Sequence, residues 1–568
     1  MTESAESAGS IAFNQQVAVV KPWWQEVTWY HWAVLLLAAA GWLFDCMGQR
    51  IFVLAREPAM KQLLGATATD AQVRLWGTAA TMILMIGWGT GGILFGMMSD
   101  KCGRVKAMVA TLLAYTVFAG LSGLARNGAE FLIYRFLCGL GVGGMFGSAT
   151  TLLAESVTPR FRTIALGVMQ SLSAIGNILA SGVGMGIALG QENFIGRWSG
   201  WQVLFFVGVL PIVLVVPIVL ILKEPEPWKK AKAEAAKGTG RKVGRISDLF
   251  RDPRWRKSTI IGICFGIAGM VGLWGIAFFS PELISTAFKN RPLQARELAK
   301  PAEILASLKT PANSAVAHIK KQLSPQVLGL VDQIEPGKDV PAVAQDTLRS
   351  DLNRLIQDTN LYNAEAFKPV TLKKGTANLA KLVEAKGEKQ NVIFLNRQLV
   401  EQAFPGTIAD LEKSINWYKT LGTLLQDVGA MLGMLTFTWV ASRFNRRTAF
   451  LLAFSFCLVV VAYVFHSLKT ATDVYWMLPI MGFGTLSCFA GYSIYFPEIF
   501  PTRLRGTGVG FCYNTVRYAA APFPLLLGWL STMLPFRKVA MVMCLIYLVG
   551  IVALIWAPET KGRPLPED

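Results

Sequence analysis

Twelve apolar stretches of about twenty residues each constrain this chain of 568 residues more than any other feature. A helix needs about 20 apolar residues to cross a bilayer, and every backbone group in lipid needs a partner inside the protein. The stretches therefore predict an all-α membrane protein with twelve transmembrane helices. Six precede and six follow a polar linker, at 31–55, 77–98, 107–125, 131–154, 163–190 and 202–222, then 258–281, 416–440, 449–467, 474–496, 506–533 and 537–557.

The stretches divide the chain into segments, and a long polar insert interrupts the second half. Within the insert, apolar residues recur at helical spacing, so we expect a small helical domain or a partly ordered cap on the extracytoplasmic side. A tolerated insertion without function and a lid or docking element both remain open. The predicted segments are a leader (1–30), a first six-helix half (31–222), a linker (223–257), a seventh helix (258–284), the insert (285–415), five further helices (416–557) and a tail (558–568).

Basic residues in the short loops predict how the chain crosses the membrane. The formal net charge is +19, but Lys and Arg lie between the apolar stretches, so nucleic-acid binding is not expected. They follow the even-numbered stretches, as Lys101, Arg104 and Lys106 do after the second. Because Lys and Arg are enriched in cytoplasmic loops, we expect the linker and both termini to be cytoplasmic.

Two parts of the sequence repeat each other. "ESVTPRFR" (155–162) and "EIFPTRLR" (498–505) share Glu and Arg positions at an offset of 343 residues. "SDKCGRVK" (99–106) matches "ASRFNRRT" (441–448) at an offset of 342. Internal repeats of this kind predict two pseudo-symmetric six-helix halves, with a binding site near the middle of the membrane between them.

The segment "GMMSDKCGRVK" (96–106) resembles the signature loop of the major facilitator superfamily. The resemblance implies a multi-pass transporter that works by alternating access, here in a bacterial inner membrane and as a monomer. The second-half loop departs from the pattern, with Ser442 and Asn445 in place of Asp and Gly. Further segments resemble the sugar porters and the metabolite:proton symporters of sialic, aromatic and other organic acids: 41–52, 135–144, 154–163, 225–228, 497–511, 513–524 and 558–567.

Charged residues at the predicted cytoplasmic helix ends are candidates for gating. Acids and bases there can form ion pairs between helices that hold one state and break on switching. Glycines at the same end allow close packing of helices and turn. The candidate gating residues are Gly96, Asp100, Lys101, Gly103, Arg104, Glu155, Arg160, Arg162, Glu498, Arg503 and Arg505, together with Arg135 in the fourth apolar stretch.

Ionisable groups inside the membrane are the candidates for substrate and proton binding. Arg517 lies near the middle of its stretch, where a guanidinium can hold a carboxylate through two parallel hydrogen bonds. The alternative for Arg517 is a structural pair with Asp427. Asp45 and Asp427 are the candidate proton acceptors, and for Asp45 the alternative is a salt bridge to Arg50 or Arg135. The other candidate substrate-binding residues are Gln49, Arg50, Trp274, Asn177, Gln426 and Asn514.

These patterns and the resemblance predict a secondary transporter that couples a small organic acid or sugar acid to H⁺. The alternatives are a neutral sugar or polyol porter and, less favoured, a transporter-like sensor with the insert as its receptor domain. The sequence contains no Walker lysine loop, HExxH or GxSxG motif, and no histidine cluster. We therefore expect no enzyme activity, catalytic residue, metal or cofactor, and the small molecule, H⁺ and the lipid bilayer as the only partners.

Overall fold

A computed structural model of the protein describes residues 23–65, 68, 70–187, 191, 193–237, 242–281, 283–284, 323–331, 343, 345–351, 407–523, 526 and 536–567. These residues are mostly α-helical, and no β-strand occurs among them. Two short helices of the linker connect the six helical segments before it to those after it.

Long helices joined by short turns follow one another along the chain. A 3₁₀ segment joins α6 to α7, and a π-helical segment, Val271–Ile276, continues α10. The α-helices in chain order are α1 (Trp29–Leu63), α2 (Asp70–Cys102), α3 (Arg104–Gly123), α4 (Gly128–Ser156), α5 (Pro159–Gly186), α6 (Gly200–Val207), α7 (Val215–Ile221), α8 (Glu226–Ala236), α9 (Ile246–Arg251), α10 (Pro253–Met270), α11 (Pro325–Val331), α12 (Thr407–Arg443), α13 (Arg446–Ser467), α14 (Ala471–Glu498), α15 (Arg505–Asn514), α16 (Val516–Ala520), α17 (Phe536–Met543) and α18 (Tyr547–Ala553).

The apolar stretches become membrane-spanning helices. Within the described residues, 10 helical segments are long and apolar enough to cross a membrane. The last two predicted spans correspond to shorter helices, α15 with α16 and α17 with α18, which are separated by brief breaks. Together these elements form the predicted all-α fold of twelve spans in two halves.

Local signals begin several of these helices. Asn127 precedes α4 and accepts the N–H of Glu130 at 2.9 Å, and Asn445 precedes α13 and accepts the N–H of Thr448 at 2.7 Å. Gly103 alone separates α2 from α3, with φ at 127°, a conformation that favours glycine. The turn that resembles the superfamily signature is therefore a one-residue connection between two long helices.

Glycines allow the helices within each half to pack closely. A Cβ added to Gly91 of α2 would overlap the backbone carbonyl of Leu140 in α4. A Cβ added to Gly433 of α12 would overlap the carbonyl of Phe483 in α14 in the same way. Gly91 and Gly433 are 342 residues apart, so the packing of the two halves repeats with the offset seen in the sequence.

The two halves meet along two pairs of helices, α2 with α15 and α5 with α12. A Cβ on Gly96 of α2 would lie only 2.7 Å from the carbonyl oxygen of Gly506 in α15. A Cβ on Gly167 of α5 would likewise overlap the side chain of Thr438 in α12. These contacts close the end of the bundle that holds the α2–α3 turn, and we call this end the sealed end.

The predicted insert is described only in part. Inside it, α11 and residues 345–351 are helical, and α12 begins at Thr407, before the predicted boundary at 416. Apart from 323–324 and 343, the rest of the insert lies outside the described residues, as do the first 22 residues of the predicted leader.

Candidate functional site

A cavity of about 300 Å³ lies between the two halves and extends from the middle of the bundle away from the sealed end. Side chains of α1, α2, α5, α12, α14, α15 and α16 and of the segment after α10 line it. Its walls combine aromatic rings with a few amides and charged groups, which is the usual composition of a site for a small molecule. All the candidate substrate-binding residues line the cavity except Asn514.

Arg517 of α16 is fully buried at the wall of this cavity. Its guanidinium carbon lies 3.3 Å from the centre of the Trp88 ring and 5.1 Å from that of Tyr513. Its Nε donates to Oδ1 of Asn514 at 3.2 Å. Among the described residues, neither Nη1 nor Nη2 has a hydrogen-bond partner. Arg517 therefore presents two Nη groups beside Tyr513 whose geometry suits a planar anion.

Asp45 of α1 lies behind the cavity wall and is also fully buried. Its Oδ2 accepts a hydrogen bond from Gln49 at 3.2 Å, and its Oδ1 has no partner in the described part of the chain. Asp45 is within electrostatic reach of Arg517. The expected alternative, a salt bridge to Arg50 or Arg135, is wrong because both arginines bind other groups.

An ion pair between Arg50 and Asp427 bridges the two halves at the same cavity. Nη2 of Arg50 lies 3.0 Å from Oδ2 of Asp427, and Nδ2 of Asn177 donates to Oδ1 at 3.3 Å. Nε of Arg50 also donates to the hydroxyl of Ser181 at 3.3 Å. The alternative pair of Arg517 with Asp427 is wrong, because the guanidinium of Arg517 lies against Trp88 of α2 and the carboxylate of Asp427 pairs with Arg50.

The remaining candidates surround these charged groups. Oε1 of Gln426 accepts a hydrogen bond from the hydroxyl of Ser280 at 2.8 Å. Asn514 donates to the carbonyl of Gly510, in its own helix, at 2.9 Å, and its Oδ1 accepts from Arg517. Asn514 therefore orients Arg517 rather than facing the cavity. The Trp274 ring, on the π-helical segment, meets the Trp88 ring edge-on with centres 6.0 Å apart.

Asp100 joins the end of α2 to the start of α15 at the sealed end. Its carboxylate accepts the N–H of Gly506 at 3.0 Å, the N–H of Thr507 at 2.7 Å and the hydroxyl of Thr507 at 2.6 Å. It also lies 2.9 Å from the guanidinium of Arg104. A carboxylate complements the free N–H groups and the dipole at a helix N-terminus. Asp100 thus caps a helix of the opposite half.

Glu155 of α4 lies between two arginines from different halves. Arg104 contacts its carboxylate at 3.0 and 3.1 Å, and Arg505 of α15 pairs with the same group. Arg104 also donates to the carbonyl of Thr502 at 2.8 Å. All three charged side chains are fully buried, so the predicted gating residues Asp100, Arg104, Glu155 and Arg505 form one network across the interface.

The second half contains a smaller version of this network. Arg446 lies 2.8 Å from Glu498 and donates to the hydroxyl of Thr163, near the start of α5, at 2.7 Å. Ser442, which stands where Asp100 stands in the first half, donates to the carbonyl of Trp439 in its own helix. Since a serine replaces the carboxylate, α5 receives no cap like the one that Asp100 provides to α15.

Three other gating candidates lie at the outside of the sealed end, and two of them form ion pairs. Arg160 pairs with Glu26, before α1, at 2.9 Å on the surface. Arg503 pairs with Asp248 of the linker helix α9 at 2.8 Å. Lys101, at the end of α2, is exposed.

Two further arginines among the gating candidates donate hydrogen bonds within the first half. Arg162 donates to the carbonyl of Ala154 at 2.9 Å, which ties the start of α5 to the end of α4 within the first half. Arg135 lies near the start of α4, away from the sealed end, which α4 reaches at Glu155. Its buried guanidinium donates to Ser122 at 2.9 Å and lies over the Phe205 ring at 4.7 Å.

A comparison with protein families decides the identity of this fold. The profile described as the Major Facilitator Superfamily matches residues 34–291 and 392–567, well over half of the chain. The chain belongs to the Major Facilitator Superfamily. The match to this superfamily leaves out residues 292–391, which fall inside the predicted insert.

Several relatives of this superfamily member are named as bacterial transporters. The cis,cis-muconate transport protein of Acinetobacter baylyi is 27% identical over 36% of this chain and 47% of the relative. The sialic acid transporter NanX of Escherichia coli is 32% identical over 44% of this chain and 56% of the relative. The gentisate transporter of Corynebacterium glutamicum is 27% identical over 39% of this chain and 50% of the relative. The chain thus spans about half the length of these curated relatives.

Solved structures of two transporters of this kind share the fold. The proton:xylose symporter XylE covers 94% of this chain and 98% of its own, with a TM-score of 0.52 and 16% identity. The human organic anion transporter MFSD10 covers 92% of this chain and 99% of its own, with a TM-score of 0.51 and 13% identity. At such low identity the similarity establishes the architecture and not the substrate.

Sequence reasoning missed three residues that complete the sealed end of this superfamily member. Arg446 lies 342 residues after Arg104, so the repeat offset could have identified it. Glu224 accepts the N–H of Arg104 at 2.7 Å, and Glu559 accepts the N–H of Arg446 at 3.1 Å, so each acid caps a helix of its own half. Burial opposes the charge of Glu559, but hydrogen bonds from nearby backbone N–H groups outweigh it and lower the pKa of its carboxyl.

Proposed function

We propose that this transporter imports a small organic acid together with H⁺ by alternating access. The observation that carries the proposal is Arg517, whose two Nη groups are buried at the cavity wall with no acceptor in the described residues. A buried charge is costly unless it is paired, and a carboxylate can accept both Nη donors at once. The names of the relatives support this choice, because muconate, sialic acid and gentisate are carboxylic acids.

The cavity around Arg517 also suits the carbon skeleton of such an acid. Trp88 stacks on the guanidinium, and Trp274, Phe489 and Tyr513 contribute further rings to the same walls. An anion bound to Arg517 would therefore have apolar surface beside it. Burial of that surface favours an organic acid over an inorganic anion of the same charge.

The distribution of Lys and Arg supports placing the sealed end at the cytoplasmic side. With that placement, the cavity on the other side of the seal receives its substrate from outside, which corresponds to an outward-facing state. Import requires the network around Asp100 and Glu155 to break while the outer side closes over the cavity.

Asp45 is the proposed proton acceptor, and Asp427 is the second candidate. Asp45 has no cation within hydrogen-bond distance but interacts electrostatically with Arg517. An anion on Arg517 would cancel the positive charge that Asp45 experiences, so anion binding and protonation of Asp45 favour each other. Asp427 already has a cation at 3.0 Å, Arg50, which compensates its charge. Because of this linkage between anion binding and protonation, Asp45 is a better candidate than Asp427 for coupling H⁺ to the substrate.

Uptake of radiolabelled acids and sugars into proteoliposomes, with and without an imposed pH gradient, tests the proposal. Wild type should take up an acid only with the gradient. Arg517→Gln removes two charge-assisted hydrogen bonds, together about 3 kcal/mol, and should lower kcat/KM about 150-fold. Arg517→Lys keeps the charge, so it should keep gradient dependence with a raised KM. Sugar uptake that ignores the gradient and survives Arg517→Gln would overturn the proposal.

A further inference from the structure

A second cavity lies on the surface of the second half, between α10 and α18. The two helices pack along each other, and the groove beside their contact has a volume of about 650 Å³. We call this feature the α10–α18 groove. The lining residues that matter here are Arg256, Lys257, Ile260, Cys264, Val552 and Trp556.

The groove opens at the level of the sealed end. Its first helix, α10, begins directly after α9, whose Asp248 pairs with Arg503 of the sealed end. The chain after α18 reaches the same end, where the hydroxyl of Thr560 donates to Glu498 at 2.6 Å. The groove therefore starts where the membrane surface meets the protein and continues into the apolar layer.

The polarity of the groove changes along its length. Arg256, Ile260 and Cys264 form one stripe on α10 at four-residue spacing, which covers about 12 Å of helix. Arg256 lies at the end of the stripe nearest the sealed end, and Ile260 and Cys264 lie deeper along the bundle. On the α18 side, Val552 is 50% exposed and Trp556 is 56% exposed, so the described part of the chain leaves much of the apolar wall uncovered.

The two basic side chains at the mouth of the groove are exposed. Among the described residues, no hydrogen bond or ion pair involves the side chain of Arg256 or Lys257. The nearby carboxylate of Asp252 instead binds Arg254, with an Nη2–Oδ2 distance of 3.3 Å. The groove thus combines two uncompensated positive charges with an uncovered apolar channel below them.

We propose that the α10–α18 groove binds one anionic phospholipid. Arg256 and Lys257 hold the phosphodiester, an acyl chain lies along Ile260 and Cys264, and Trp556 packs at the level of the headgroup. Basic pockets between transmembrane helices are suited to anionic headgroups, and Trp residues favour the membrane interface. A zwitterionic lipid carries a compensating ammonium and gains less from the two cations. This site does not depend on which substrate the transporter carries.

Native mass spectrometry of the delipidated full-length protein tests the site. The protein is titrated with phosphatidylglycerol and, separately, with phosphatidylcholine of the same acyl chains. Each basic residue near the headgroup should contribute about fivefold to affinity. Wild type should bind one phosphatidylglycerol preferentially, and Arg256→Gln/Lys257→Gln should lower that affinity about 25-fold while lowering phosphatidylcholine affinity much less.

A matched variant separates this site from general attraction to basic loops. Arg443→Gln/Arg447→Gln removes the same charge from another exposed turn at the sealed end and should leave the preferred lipid bound. Cys264→Phe narrows the groove with both cations intact and should also weaken phosphatidylglycerol binding. Equal affinity for the two lipids, equal loss in both double variants, or displacement of the lipid by inorganic phosphate would each overturn the proposal.

Discussion

Asp100→Asn should weaken the sealed end by a measurable amount. The carboxylate makes three hydrogen bonds to Gly506 and Thr507 of the opposite half, between 2.6 and 3.0 Å, and contacts Arg104 at 2.9 Å. A buried hydrogen bond to a charged group contributes about 1.5 to 3 kcal/mol. Asn keeps one acceptor oxygen and loses the cost of burying a charge, so the net loss is about 2 kcal/mol.

Hydrogen exchange can measure this loss directly. A change of about 2 kcal/mol shifts the equilibrium between the sealed and opened arrangements about 30-fold. Peptides that cover 505–514 in α15 and 159–167 in α5 both lie at the sealed end, although only the first contacts Asp100. If the carboxylate holds the whole end closed, both peptides should exchange about 30-fold faster in Asp100→Asn.

Ser442→Ala is the matched control for this variant. Ser442 occupies the equivalent position in the second half, and its hydroxyl bonds only to Trp439 of its own helix in the described residues. This variant should leave both peptides unchanged. Faster exchange restricted to the α15 peptide of Asp100→Asn would reduce the role of the carboxylate to a local helix cap. Unchanged exchange in both peptides would refute the reasoning altogether.

Two further variants test the proton site and the helix contact. In proteoliposomes, Asp45→Asn should remove the gradient dependence of uptake but keep the exchange of labelled for unlabelled substrate. Asp427→Asn, in contrast, should keep the gradient dependence. The reverse pattern would identify Asp427 as the proton acceptor. Gly96→Val should open the sealed end, because its Cβ would lie 2.7 Å from the carbonyl of Gly506. Gly182→Val, with open space around its Cβ, is the control, and equal exchange rates in α15 would contradict the packing argument.

The sequence predicted the helices well because membrane crossing leaves few options for the backbone. An apolar stretch in lipid has to form a helix, so composition alone located α3 to α5 within about four residues at each end, whereas α1 continues to Leu63, past the predicted end at 55, and α2 begins at Asp70, before the predicted start at 77. The breaks at the end of the chain were not predictable in this way. α15 gives way to α16 at Thr515, and α17 and α18 flank a 3₁₀ segment at Cys544–Ile546, although apolar content is continuous across both.

The candidate site was predictable in its members but not in its pairings. Arg517, Asp45 and Asp427 stand out because charges are rare inside apolar stretches. The partner of each depends on the rotation of its helix, which one sequence does not reveal. Arg50 meets Asp427 across 377 positions of the chain, whereas the sequence spacing suggested a partner one turn away, at Asp45.

The sealed end is held unequally on its two sides, and this inequality follows from one position of the repeat. On the α2–α15 side, Asp100 caps the opposite helix and Glu155 binds arginines of both halves. On the α5–α12 side, Ser442 bonds within its own helix, and Arg446 donates a charged hydrogen bond to Thr163 across the halves. Charge-assisted bonds are the strong ones in a buried site. Separation of the halves at this end therefore costs most along α2–α15, so this pair is suited to act as the last contact to open.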